Sequence, residues 1–196
     1  MGQGAVAQGK KNARRRGAWI VFEDESGISL TPPVRRTWAP VGHTPVITAK
    51  FNWKRLSMAG AVAYSPDGGD AAVVFQTKAG AYNDESLTVF LDQLHEFLGR
   101  ARVTLLWDGL PSHRSRLMND YRRANRSWLV VERLPAYAPE LNPVEALWGN
   151  LKGTELANRC VETIEDAETI AHGGAVRIGE DAELAFAFLR HTGLSL

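Results

Sequence analysis

The sequence predicts a mixed α/β domain whose five-stranded sheet is flanked by helices. Two observations carry this prediction: three strand-like segments open the chain, and further on two short strands alternate with helices. The 196 residues, 44% of them hydrophobic, are enough to form one domain with a full core. We therefore predict a basic arm over residues 1–17 and one domain over residues 18–196.

The opening strands are predicted from short runs of strand-forming residues. Residues 18–22 form a nearly continuous apolar run, which is typical of a strand buried on both faces, and Asp24 is placed at its carboxyl end. Residues 55–64 and 71–76 are two further candidates, and the turn-forming residues between them favour a tight reversal. Residues 31–48 contain several prolines and are predicted to form a loop or a small hairpin.

The remaining elements alternate between helix and strand, so the later strands can pair parallel to the first one. After Asn83, apolar residues recur every three or four positions up to Leu98, which predicts an amphipathic helix capped by Asn83. The other predicted elements are, in order, a strand at 103–107, a basic helix at 112–125, a strand at 128–131, a helix from Asn142, and one or two closing helices over 163–190 around a break at Gly173 and Gly174.

Charge, cysteine content and hydropathy limit the compartments and partners that the protein can have. The formal net charge is +1, but five basic residues lie within the first sixteen, so the body is slightly acidic behind a basic arm. The arm lacks apolar periodicity and is predicted to be disordered, as a linker, a nucleic-acid contact or a solvated tail. A single cysteine, Cys160, excludes an intrachain disulfide, and no apolar run approaches a membrane span. We expect a soluble cytoplasmic protein.

Three acidic residues stand where a metal site could form. Asp24 and Asp108 each follow a buried-type strand, and if these strands are neighbours about 4.8 Å apart, their carboxylates meet at one end of the sheet. Glu145 occupies the third position of the helix that begins at Asn142 and Pro143, where it can either bond back to the cap or point at a metal ion. Glu25, the nearest rival of Asp24, should face the other side of its strand.

These oxygen ligands favour Mg²⁺ or Mn²⁺ over zinc, because the sequence offers no cysteine cluster or paired histidines. Two such ions can hold a phosphodiester between them, one activating the attacking oxygen and the other stabilising the leaving oxygen. Each acid taken alone is as well explained by a loop cap or a salt bridge.

Three motifs that contain these acids resemble the acidic motifs of the mariner-superfamily transposases, and most of all the bacterial insertion-sequence branch called the six-thirty family. The resemblance implies a ribonuclease-H-like fold and a DDE catalytic triad formed by Asp24, Asp108 and Glu145, with Mg²⁺ or Mn²⁺ as cofactor. The motifs are Phe22-Glu-Asp24-Glu25-Ser26, Leu106-Trp-Asp108-Gly-Leu-Pro-Ser-His113 and Tyr137-Ala-Pro-Glu-Leu-Asn-Pro-Val-Glu145-Ala-Leu-Trp148-Gly-Asn-Leu-Lys152.

The resemblance implies cleavage of DNA at transposon terminal inverted repeats and strand transfer into target DNA, at a TA dinucleotide, by a homodimer that synapses two ends. Transposases of this kind usually carry N-terminal helix-turn-helix domains, whereas here only the arm precedes Trp19. We therefore expect a catalytic half that works with an upstream reading-frame product at the nucleoid. The alternatives are an inactive remnant that only binds DNA or forms complexes, and another nuclease of the same fold.

Four basic or titratable residues are candidate DNA contacts, and each has a second interpretation. His113 could touch a metal-bound water or a phosphate, or be a hydrogen-bonded loop histidine. Arg114 and Arg116 belong to a basic segment that could bind phosphates or be a solvated helix face. Lys152, two helical turns after Glu145, could meet DNA or offset the carboxylate.

Overall fold

The computed structural model describes residues 2–48, 54–135 and 138–194. Its five strands are β1 (Trp19–Ser29), β2 (Arg55–Tyr64), β3 (Ala71–Ala79), β4 (Val103–Trp107) and β5 (Leu129–Arg133). They form one sheet of order β3-β2-β1-β4-β5, in which β1 to β3 pair antiparallel and β4 and β5 run parallel to β1. The predicted mixed sheet is confirmed, including the reversal between β2 and β3, where the Ser65 amide donates to the Asp70 carbonyl oxygen.

Helices cover both faces of the sheet, and the core therefore has two layers. On one face, Phe22, Met58 and Val62 pack with Leu147 and Trp148; on the other face the buried residues include Val21, Leu91 and Leu105. The helices in the described residues are α1 (Gly2–Arg16), α2 (Asp84–Phe97), α3 (Arg116–Ala124), α4 (Pro143–Asn150), α5 (Ile164–Gly179) and α6 (Ala182–His191). Short helical turns occupy Ser112–Arg114 and Pro139–Leu141, and a π-helical turn, Leu151–Glu155, follows α4 directly.

Strand β1 continues past Asp24, contrary to the prediction that the strand ends there. Its antiparallel pairing with β2 reaches Ser29, opposite Arg55, whereas its parallel pairing with β4 stops at Phe22, opposite Leu106. Asp24 therefore lies just beyond the parallel part of the sheet, although it is in the middle of its own strand. The extra length comes from the partner strand β2, which the local sequence of β1 does not reveal.

Residues 2–16 form helix α1, so the prediction of a disordered arm is wrong for them. The helix packs against β1, β4 and β5, and its Ala13 is fully buried in the core. The Arg16 guanidinium donates to Thr104 Oγ1 at 3.4 Å and to the Trp128 carbonyl oxygen at 3.4 Å. Most of the stability of a short helix comes from such tertiary packing, which composition alone does not predict.

The predicted break at Gly173 and Gly174 is also wrong, because α5 runs through both residues and ends at Gly179. A Cβ atom built on Gly174 would lie 2.4 Å from Glu155 Cγ and 2.6 Å from Leu151 Cδ1, so this glycine allows α5 to approach the π-helical turn closely. Residues 32–48 contain no strand, which leaves the loop rather than the hairpin. In the described part of the chain, no helix is long and apolar enough to cross a membrane.

Candidate active site

A pocket of about 450 Å³ opens at the carboxyl end of the parallel strands, and all three predicted acids line it. Asp24 comes from β1, Asp108 directly follows β4, and Glu145 lies in the first turn of α4. The remaining lining residues are Gly109, Leu110, Pro111, Leu134, Pro135, Ala138, Pro139 and Asn142. Three separate elements thus bring carboxylates to one place, as the sequence predicted, although Tyr137 of the third motif lies outside the described residues.

Asp24 is held by the indole of Trp148. The Trp148 Nε1–H donates to Asp24 Oδ2 at 2.9 Å, and the benzo ring of the buried indole lies against Gly60, the residue opposite Asp24 on β2. A Cβ atom on Gly60 would come within 2.6 Å of Trp148 Cη2, so only glycine leaves room for the ring. Burial raises the pKa of Asp24 to about 7, helped by the charges of Glu145, Glu25 and Asp108 and opposed by the Trp148 hydrogen bond.

Asp108 is held in its ionised form by donors on two sides. Its Oδ1 atom accepts from the Leu110 amide at 2.9 Å and lies 2.9 Å from His113 Nδ1. Burial alone would raise the pKa of Asp108, but these hydrogen bonds and the nearby charges of His113 and Arg114 outweigh burial and lower it. Asp24 and Asp108 therefore have opposite pKa shifts, and at neutral pH the pocket keeps one firmly ionised carboxylate beside one that is poised to accept a proton.

Glu145 does not make the hydrogen bond that the helix-cap interpretation of this residue required. In that interpretation the Asn142 amide donates to the Glu145 carboxylate, but here it donates to the Pro139 carbonyl oxygen at 2.9 Å. The cap is made by Asn142 itself, whose Oδ1 accepts from the Val144 amide at 3.1 Å. Asn142 Nδ2 also donates to the Glu23 carbonyl oxygen at 3.2 Å, which ties the start of α4 to β1. The exposed Glu145 carboxylate is thereby aimed at the pocket from a fixed helix start.

The three pocket carboxylates offer oxygen ligands of the kind that divalent ions such as Mg²⁺ and Mn²⁺ prefer. Within the described residues, one group of three or more metal-ligating side chains has its ligand atoms all within 4.8 Å of one another, and it is a different group, formed by Glu23, Glu25 and His113. Clustered carboxylates repel one another unless cations lie between them, so the three pocket acids together are suited to hold divalent cations.

His113 is not placed to contact DNA, which corrects that prediction. The side chain is 2% exposed, its ring stacks on Trp107 with a centroid distance of 4.0 Å, and its Nε2 lies 3.4 Å from Glu25 Oε1. Burial lowers the pKa of His113, but the bonds to Asp108 and Glu25 and the charge of Glu23 outweigh it and raise this pKa to about 10. The structure has the hydrogen-bonded loop histidine of the second interpretation.

Glu23 is the functional candidate that the sequence analysis missed. It is fully buried on the face of β1 opposite to Asp24, next to Glu25 and His113. The alternation of side chains along a strand was the available signal, because Glu23 and Glu25 must share a face if Asp24 points the other way. As expected, Glu25 does not line the pocket that contains Asp24.

The other predicted DNA contacts lie in two places. Arg114 and Arg116 line an open surface groove of about 870 Å³ together with three further arginines, Arg122, Arg123 and Arg126. Lys152 is half-buried instead: its Nζ donates to Ser26 Oγ at 2.7 Å. Burial lowers the pKa of Lys152, while the charges of Glu145 and Asp24 act in the opposite direction. This position fits the interpretation in which Lys152 offsets the carboxylates.

Comparisons with known structures agree with the fold described above. The Mos1 transposase paired-end complex with left transposon end superposes with a TM-score of 0.66 at 20% identity, covering 96% of this chain and 57% of that chain. The Mos1 Strand Transfer Complex superposes with a TM-score of 0.65 at 20% identity, covering 98% of this chain and 56% of that chain. The Mos1 mariner paired end complex with Mn superposes with a TM-score of 0.62 at 20% identity, covering 97% of this chain and 56% of that chain. The sheet and its flanking helices thus match the ribonuclease-H-like fold of these structures, and the chain spans little more than half of their length.

Comparison with curated protein sequences finds no match. Residues 19–168, which include all three pocket acids, match the family described as DDE superfamily endonuclease. This match extends over most of the chain, from the first strand into α5. The chain belongs to the DDE superfamily endonuclease family.

Proposed function

We propose that this chain is a transposase catalytic domain that cleaves DNA at transposon ends and transfers the cut strand into target DNA. The observation that carries the proposal is the convergence of Asp24, Asp108 and Glu145, from three separate elements, on one pocket. The Mos1 structures that share the fold support it, because they are named as complexes with a transposon end, with Mn and with Mg. On the resemblance of its three acidic motifs, we also propose that the chain belongs to the bacterial insertion-sequence branch called the six-thirty family.

The three acids are proposed to hold two Mg²⁺ or Mn²⁺ ions. When bound, such ions supply an activated attacking oxygen and stabilise the leaving oxygen of the phosphodiester. The chain contributes a rigid pair of ligands, because Trp148 orients Asp24 and His113 orients Asp108. Glu145 is exposed at the start of α4, so its side chain can adjust to the ions and the substrate. The proton affinity of Asp24 makes ion binding compete with protonation near neutral pH.

DNA is the proposed partner, in the form of terminal inverted repeats and target DNA. The arginine groove that contains Arg114 and Arg116 is suited to phosphate contacts that carry no sequence information. Sequence recognition is assigned to an upstream helix-turn-helix product, and synapsis of two ends to a homodimer at the nucleoid of a bacterial cell.

The test is cleavage and joining of a DNA that carries the inverted repeats found beside the gene, with and without the upstream product. Asp24→Asn should abolish both Mg²⁺-dependent steps while the circular dichroism spectrum is unchanged. Glu162→Gln is the control, because Glu162 is an exposed acid outside the pocket. Retained activity in Asp24→Asn contradicts the proposal.

The same assay separates the alternatives. Hydrolysis without joining would indicate another nuclease of the same fold. A complete lack of cleavage by the unmodified chain together with its partner would favour the inactive remnant.

A further inference from the structure

A second group of ligand side chains lies behind the candidate active site. Glu23 and Glu25 share the face of β1 that is turned away from Asp24, and His113 reaches them from the helical turn after β4. One ligand atom from each of these three residues lies within 4.8 Å of the other two. We call these three residues the back cluster.

Within the described part of the chain, the back cluster contains buried carboxylate oxygens that have no hydrogen-bond partner. Glu23 is 0% exposed, and among the described residues neither of its carboxylate oxygens has a partner; Glu25 Oε2 is buried and has no partner among them either. Taking a carboxylate out of water without a partner costs several kcal/mol. Buried polar atoms in folded proteins nearly always have a hydrogen-bond partner or bind an ion. We therefore expect a proton or a cation to lie between these oxygens.

The ring of His113 is oriented like that of a metal ligand. Its Nδ1 lies 2.9 Å from Asp108 Oδ1 and its plane is fixed by stacking on Trp107. Its Nε2 faces Glu25 Oε1 at 3.4 Å, inside the cluster. Metal-bound histidines commonly donate their other ring N–H to a carboxylate, which fixes the tautomer and the direction of the free nitrogen. Asp108 provides this support here.

We propose that Glu23, Glu25 and His113 bind one divalent first-row transition ion, Zn²⁺ or Mn²⁺, at a site separate from the Asp24 pocket. An imidazole among the ligands favours such ions over Mg²⁺. Ligands about 2.1 Å from an ion lie roughly 3 to 4 Å apart, so the cluster needs only a small closure. The two glutamates place negative charge around His113 Nε2, which favours a cation at this position.

The proposed ion would act on the candidate active site through one side chain. Because His113 joins the back cluster to Asp108, an ion on Nε2 fixes the ring that orients this acid. The inference does not depend on the proposed function, since it concerns binding by residues on the opposite face of β1.

The test isolates the back cluster by disabling the pocket. In the full chain carrying Asp24→Asn and Glu145→Gln, the metal content is measured by mass spectrometry after exposure to Zn²⁺ or Mn²⁺ and removal of free ion. Co²⁺ is used as a spectroscopic probe, because its visible absorption reports coordination by nitrogen and oxygen. We expect one ion per chain, and we expect Asp108→Asn added to this background to weaken Zn²⁺ binding by about 10- to 100-fold, as loss of a supporting carboxylate does at other sites.

Two further variants of the pocket-disabled chain decide the outcome. Glu23→Gln should lose the ion and the Co²⁺ absorption. Glu25→Gln should do the same, and because its side chain is 14% exposed, it gives an answer even if Glu23→Gln does not fold. Glu96→Gln, an exposed acid on α2, is the control that should keep the ion. Absence of any ion in the pocket-disabled chain, or an ion retained after Glu25→Gln, would overturn the proposal and leave protons as the partners of the buried oxygens.

Discussion

Asp24→Asn should stabilise the metal-free protein, and it should do so more at alkaline than at acidic pH. The pKa of Asp24 rises from its ordinary value of 3.8 to about 7 in the folded chain because the carboxyl is buried and has acidic neighbours. Between these two pH values the folded chain holds a proton that the unfolded chain has released. Stability therefore falls as pH rises through this window, and above it the full cost of ionised Asp24 remains.

The size of the effect follows from the two pKa values. Compared with an uncharged residue, Asp24 lowers the free energy of unfolding by up to about 1.5 kcal/mol near pH 5 and by up to about 4 kcal/mol near pH 8, because of its raised pKa. These figures are upper limits, because Asp24 is only partly buried and water screens its charge. Asparagine keeps an acceptor for the Trp148 N–H but carries no charge. The stabilisation by Asp24→Asn should therefore grow by up to about 2.5 kcal/mol between these two pH values.

Urea unfolding in EDTA measures this difference, with Glu162→Gln, a change at an exposed acid outside the pocket, as the control. An equal effect of Asp24→Asn near pH 5 and near pH 8 would refute the reasoning. Adding Mg²⁺ near pH 8 extends the test, because an ion at 100 times its Kd stabilises the native chain by about 2.7 kcal/mol. The unmodified protein should show this gain, and Asp24→Asn should lose most of it.

Substitutions at three further positions test the contacts around the pocket. Trp148→Phe removes a hydrogen bond to a charged acceptor, worth about 1.5–3 kcal/mol, so the pH midpoint of Mg²⁺ binding should rise by about one unit in calorimetric titrations; an unchanged midpoint would contradict the role of the indole. Gly60→Ala should cost about 1–3 kcal/mol in urea unfolding by crowding Trp148, and the double variant Gly60→Ala with Trp148→Phe should cost less than the sum of the two single changes. Asn142→Ala should lower the free energy of unfolding by about 1–2 kcal/mol, and Asn142→Ser should recover part of this loss because serine can cap the helix. Equal losses in the two variants would show that the contribution comes from the bond to the Glu23 carbonyl oxygen instead.

Local sequence signals were sufficient where a feature depends on neighbours along the chain. The start of α4 followed from Asn142 and Pro143, a cap residue and a first-turn proline. The position of Asp108 followed from a short apolar run that ends on an acid. Convergence of the acids was then predicted from topology, because parallel neighbours end at the same edge of a sheet.

Features that depend on distant partners could not be predicted in this way. The length of β1 past Asp24 is set by its pairing with β2, and α1 depends on the burial of Ala13 against the sheet. The contact that orients Asp24 joins Trp148 across the core and requires a glycine at position 60. Each of these facts concerns residues far apart in sequence, and neither periodicity nor composition records them.

Anomalous diffraction from crystals grown with Mn²⁺ tests the central claim most directly. We predict two Mn²⁺ peaks about 3.5 to 4 Å apart in the pocket, in contact with the carboxylates of Asp24, Asp108 and Glu145. A pocket without Mn²⁺, in crystals where these side chains are ordered and the ion is in excess, would contradict the assignment of the three acids as metal ligands.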